Sequence, residues 1–250
     1  MMSFSPVTLT DIVKKQYVFK LKAFTDLLSP LLLMQLFGLL FSLGGVGHSG
    51  RGNYFNVTYY STDFVIYFTI IWGFVIAVQL TSKNFRYQLT PFVTNHQANV
   101  LSDGLLLLTA SIFGGILALL SRFILLAFVM FVFQKDQIII KDSIESIPEL
   151  FMGIITTILI IFLFSMLGYA IGSLVQRHRS FAVIIPAIAI GGFFFLILIG
   201  DETTLKYFEK LFSFYYLEKN FSIFVLKHII TSIILFFLAY QLTKRLEVAQ

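Results

Sequence analysis

The residues that could do chemistry are few and scattered. His48, His96, His178 and His228 fall in four different segments, and none pairs with a second ligand at the HExxH spacing that would set two metal ligands on one helix face. No GxSxG stretch offers a serine nucleophile on an elbow. A chain that hydrolysed ATP would need a GxxxxGK[ST] loop to cradle the phosphates, and no glycine here is followed by lysine. Cysteine is absent, which removes thiolate nucleophiles, cysteine metal sites and disulfides. The expectation is a chain with no catalytic residue, no metal centre and no cofactor of its own.

What must position any remaining polar groups is a set of apolar helices. Of 250 residues, 58% are hydrophobic and only 12% charged, with a mean hydropathy of +0.88, far from the composition of a soluble domain. A bilayer core requires about 20 apolar residues per helical crossing and internal pairing of every backbone polar group. The runs are too continuously apolar for the alternating strands of a barrel. The expected fold is therefore an all-α integral membrane domain, residues 1–250, with six spans at about 27–46, 63–82, 104–133, 150–175, 181–200 and 222–242. The first run lacks a small-residue cleavage site and reads as a retained helix.

The net charge of +5 does not point to nucleic acid, because the basic residues flank spans. Lys14, Lys15, Lys20 and Lys22 precede the first, and Lys83 with Arg86, Arg177 with Arg179, and Lys244 with Arg245 flank others. With an even number of spans both termini share one side, and the positive-inside rule makes that side cytoplasmic. Residues 12–24 read as an interfacial helix with lysine stems reaching for headgroups, although Lys20 falls among its apolar residues. Residues 205–216 place Leu205, Tyr207, Leu211 and Tyr215 on one arc opposite Lys206, Glu209 and Lys210. That pattern fits an amphipathic outer helix or an aromatic belt extending spans five and six.

Within the spans, Arg122 lies roughly 27 Å along the third, near the outer boundary, and reads either as a pathway charge or as a residue reaching headgroups or Asp63. Lys227 and His228 read as snorkelling residues. The small residues Ala110, Gly114 and Ala118, and the GYAIG stretch from Gly168 to Gly172, allow close helix approach, inside the chain or between subunits. Pro30 and Pro186 fall within spans.

Between spans two and three lies a polar island, NFRYQLTPFVTNHQANVLSD, at residues 84–103. Pro91 interrupts any helix continuing from span two, and Thr94 or Asn95 can cap a new one running into span three. Phe85, Leu89, Phe92 and Val93 offer an apolar surface to a cytoplasmic partner, or rest on the bilayer. The order of a basic interfacial helix, six spans, this island and an amphipathic outer segment resembles the membrane subunits of ABC exporters of the type-2 (type V) class. In that family the loop after span two carries a coupling helix, often with arginine a few residues before a Leu-x-x-Pro stretch. Arg86 followed by Leu89, Thr90 and Pro91 is similar to that pattern. The family's glutamate beside the arginine is missing, since Tyr87 follows Arg86.

The resemblance implies a separate ATPase subunit, carrying ATP and Mg, that docks on Phe85, Arg86, Leu89, Pro91, Phe92, Thr94, Asn95 and His96. Arg177, His178 and Arg179 would add a second cytoplasmic contact. It also implies a second permease half, identical or related, in a bacterial plasma membrane, and a path lined by spans two and five with Trp72, Gln79, Pro186 and Phe193. Arg122 joins them as a candidate path charge. The cargo expected is amphipathic or apolar: a peptide, lipid or drug. Two other classes stay open, an ion-coupled secondary carrier and a non-transporting immunity or sensory protein.

Overall fold

The computed structural model describes residues 8–45, 47–50, 56–82, 85, 96–133, 138–140, 146–199, 202–218 and 220–247. Among the described residues, seven helices run in the order α1 (Leu9–Ser42), α2 (Asp63–Thr81), α3 (His96–Phe133), α4 (Ile147–Arg177), α5 (Phe181–Ile199), α6 (Glu202–Tyr216) and α7 (Phe221–Glu247). Their boundaries follow local chemistry. The side chain of Thr8 accepts the Asp11 amide at the start of α1, and that of Ser146 accepts the Glu149 amide at the start of α4, where proline in the first turn needs no donor.

Four of these helices are long and apolar enough to cross a membrane: α2, α3, α4 and α7. The chain is therefore built to be embedded in a bilayer. The apolar stretches Ser29–Ser42 of α1 and Phe181–Leu196 of α5 are shorter. In place of a short interfacial helix followed by a separate span, α1 is one helix of 34 residues.

Lipid is as apolar as leucine, so close packing and polar pairing, not the hydrophobic effect, must hold such a bundle together. Its core draws Leu31 from α1, Trp72 and Ile76 from α2, Leu106 and Ala110 from α3, Tyr169 from α4 and Ala239 from α7. Glycines admit the closest approaches. A Cβ on Gly38 would lie 2.6 Å from the Val65 Cα, one on Gly115 2.6 Å from Ile158, and one on Gly168 2.6 Å from the Phe74 carbonyl oxygen. The GYAIG stretch is thus an internal seam between α2 and α4, and Gly114 likewise faces Thr69 and Trp72. Helix α5 is different: its residues 186–195 are exposed throughout, and a Cβ on Gly191 or Gly192 would meet nothing within 4 Å.

The bundle is all-helical, as expected, and its connections add one feature. Strands β1 (Gly47–Gly50), β2 (Asn56–Tyr60) and β3 (Ile138–Ile140) form a small sheet. Strand β2 pairs antiparallel with β1, Gly47 opposite Tyr59, and parallel with β3, Thr58 opposite Ile138. The β-branched and aromatic NVTYY and III segments favour extended backbone, and Tyr60, which ends β2, packs on Leu125 and Val129. The sheet ties the α1–α2 and α3–α4 connections together at one end of the bundle. The end of α2, the start of α3 and the α4–α5 turn lie at the other.

Candidate functional site

A buried charged crossing joins α1, α3 and α4. Lys20 Nζ lies 2.6 Å from Asp103 Oδ1, with the lysine side chain 0% exposed and the aspartate 4%. The ammonium also donates to Asn99 Oδ1 at 2.7 Å, to the Asn99 carbonyl at 3.1 Å and to Ser102 Oγ at 2.7 Å. The other carboxylate oxygen, Oδ2, accepts the Tyr169 hydroxyl at 2.9 Å. Ser102 in turn has the Asn99 carbonyl at 2.8 Å and Gln16 Oε1 at 3.3 Å as acceptors for its single proton. Gln16 Nε2 is buried and has no hydrogen-bond partner among the described residues.

Either charge alone at this depth would cost several kcal/mol in lost hydration. Together, with hydrogen bonds on both sides, they form a charge-assisted tie whose geometry fixes how α1 crosses α3. Asp103 stands seven residues into α3, roughly 10 Å along the helix from His96. The tie therefore sits close to the island and away from the middle of the bundle.

Sequence reasoning missed this cluster by treating Lys20 as a snorkelling lysine and Asp103 as the polar end of a loop. The signal was present: Gln16 and Lys20 stand four apart on one face of α1, while Asn99, Ser102 and Asp103 share one face of α3. Two polar faces on neighbouring helices are partners to be matched.

The described ends of the island are likewise built into the bundle. Phe85 packs against the core cluster and its amide lies 3.4 Å from Ser82 Oγ. His96 is buried, with its ring centroid 5.3 Å from that of Tyr240, its Nε2 3.4 Å from the Tyr240 carbonyl and 3.5 Å from Thr243 Oγ1. It therefore anchors α3 on α7 and presents little surface for docking. Arg86, Leu89, Pro91, Phe92, Thr94 and Asn95 lie outside the described residues. Gln176 on α4 donates to the Thr81 carbonyl at the end of α2, while Arg177, His178 and Arg179 are exposed beside it.

The five residues named for a path are not brought together within one chain. Trp72 is 2% exposed in the core, Gln79 is exposed on α2, and Pro186 and Phe193 are exposed on α5. Arg122 is half-buried on α3, and no ion pair joins it to Asp63 among the described residues. Lys227 and His228 are more than snorkelling residues. Lys227 Nζ pairs with Glu218, donates to the Phe214 carbonyl at 3.2 Å and sits 3.8 Å from the Phe214 ring centre. The rings of buried His228 and of Tyr215 lie perpendicular, 5.8 Å between centroids. These contacts clamp amphipathic α6 onto the head of α7, with Tyr207 and Leu217 left exposed. Burial raises the Tyr216 hydroxyl pKa above its usual value.

Among the described residues no group of three histidines or acids could hold a metal ion. No protein-family model matches the chain, nor does any curated protein or solved structure.

Proposed function

We propose that this chain is the permease subunit of an ATP-binding cassette transporter, exporting an amphipathic or apolar cargo by alternating access driven by a separate ATPase. The observation that carries the reading is the placement of the island. It sits between two membrane-crossing helices, with one end packed on the core through Phe85 and the other continuing as the rigid 38-residue helix α3. A push on its cytoplasmic surface would move α3, and the Lys20–Asp103–Tyr169 tie would carry α1 and α4 with it. This is coupling by differential contact in two states. The arginine and proline pattern at Arg86 to Pro91 supports an ATPase as the source of the push.

Six spans follow if Ser29–Ser42 and α5 cross along with the four longer helices, placing both termini with the basic clusters on the cytoplasmic side. The all-round exposure of α5 supports a second permease half against it, where Pro186 and Phe193 would face the path. An ion-coupled carrier is the second reading, favoured by the buried charge pair, but that pair lies near the helix ends and every atom of its charge is matched.

Affinity capture of the chain from native membranes in mild detergent, followed by mass spectrometry, tests the proposal. An ATPase with a phosphate-binding loop should accompany the chain in roughly equal amount. A solitary chain with its fold intact would contradict it.

A further inference from the structure

The Lys20 ammonium sits in a shell of oxygens supplied by one short stretch of α3. Asp103 Oδ1 lies 2.6 Å from Nζ, Asn99 Oδ1 and Ser102 Oγ 2.7 Å, and the Asn99 carbonyl 3.1 Å. These are four acceptors around a group with three protons, one more than an ammonium can serve with a straight hydrogen bond to each. A sphere of positive charge has no such limit. Ser102 can turn a lone pair inward because its own proton has the Asn99 carbonyl and Gln16 Oε1 as acceptors. Asp103 brings one negative charge, and its second oxygen is held by the Tyr169 hydroxyl.

The shell also has a size and a charge. Its distances are longer than the about 2.0–2.1 Å of magnesium ligands and, in three of the four contacts, than the about 2.3–2.6 Å of calcium ligands. A single carboxylate is little charge for a divalent ion. Oxygen donors of carbonyl, amide and hydroxyl type beside one carboxylate suit a hard monovalent cation of ammonium size. All the ligands fall within residues 99–103, so the shell belongs to α3 and only its occupant to α1.

We propose that Asn99, Ser102 and Asp103 form a binding site for a monovalent cation, which in the natural chain is filled by the chain's own Lys20 ammonium. Helix α1 docks on α3 by delivering a cation on a tether, and the charge of the site is balanced without an ion from solution. The site stands apart from any ATPase and from what the chain transports.

Lys20→Met keeps most of the lysine stem and vacates the place of Nζ. The test compares thermal unfolding of the full natural chain and of this variant in mild detergent, in potassium, ammonium or choline chloride at equal ionic strength. Lys20→Met should unfold at the lowest temperature in choline, whose cation is too large for the shell. Potassium or ammonium at about a hundredfold excess over its Kd should raise the midpoint by roughly 5 °C, saturably. The natural chain, its site already filled, should not distinguish the three salts. Adding Asp103→Asn to Lys20→Met should remove the response to potassium and ammonium. An equal rise in all three salts would be screening alone and would overturn the proposal, and a response of the same size in the natural chain would do so by placing the ion elsewhere. So would a Lys20→Met chain that is folded and indifferent to the cation, or one that stays unfolded in all three salts, since the ion then does not replace Nζ.

Discussion

Lys20 and Asp103 lie 83 positions apart in sequence and 2.6 Å apart in space, each almost wholly withdrawn from solvent. No other ion pair among the described residues is as deeply buried, and it joins the first helix, α1, to α3, which follows the polar island.

Removing one member of that pair strands the other. Lys20→Met is expected to cost about 3–5 kcal/mol, as uncompensated buried charges do. The triple change Lys20→Met, Asp103→Leu, Tyr169→Phe should recover most of this, because it withdraws the carboxylate and its phenolic donor together. Thermal unfolding in detergent, compared across single and triple variants, measures the non-additivity; additive losses would show that the three groups do not act as a unit.

Two glycines of the same residue type should respond oppositely. Gly168→Leu drives a side chain into the Phe74 carbonyl, 2.6 Å from where its Cβ must lie, and overpacking of this kind costs about 1–3 kcal/mol. Gly191→Leu meets open space within the chain and should leave its unfolding within about 0.5 kcal/mol of the natural protein. If a second permease half covers α5, Gly191→Leu should instead weaken association of the two halves, read by crosslinking in membranes.

The start of α1 should be acid-sensitive. The Thr8 hydroxyl donates to the Asp11 carboxylate and lowers its pKa, with Lys15 and Lys14 adding to the effect. A depressed folded value means the stabilisation is present above the ordinary aspartate pKa of about 3.9 and is lost as pH falls through the lower folded value. Protection of the first-turn amides of α1, taken relative to an unstructured chain at the same pH, should therefore be constant from neutral pH to about 4 and fall below it, and Asp11→Asn should remove that acid-dependent step.

Docking on the island predicts a separable phenotype. Replacing Arg86 and Phe92 together by alanine should abolish recovery of the ATPase with the captured chain while leaving its unfolding temperature unchanged. Normal recovery from the double variant would remove the coupling role from these residues.

The helices were legible because apolar runs of membrane length leave a chain few alternatives, and α2 and α4 begin and end within a few residues of the expected spans. The amphipathic helix α6 was legible in the spacing of its charges. Lys20 was not, since a lysine among apolar residues looks alike whether it reaches out to headgroups or inward to a carboxylate. Only the crossing of α1 over α3 distinguishes these. The sheet was missed because its strands are three to five residues long and pair across two separate loops. The seam role of Gly168 and Gly172 was half legible: spacing showed close approach, and only the fold showed that the partner is α2.

Because the chain contains no cysteine, a single reporter can be placed on a silent background. Phe193→Cys on exposed α5, probed in native membranes with a membrane-impermeant maleimide, reads the accessibility of the proposed path directly. ATP with vanadate is predicted to change its labelling rate, and the Arg86 and Phe92 double variant to abolish that change. A labelling rate indifferent to ATP and vanadate would contradict ATP-driven alternating access in this protein.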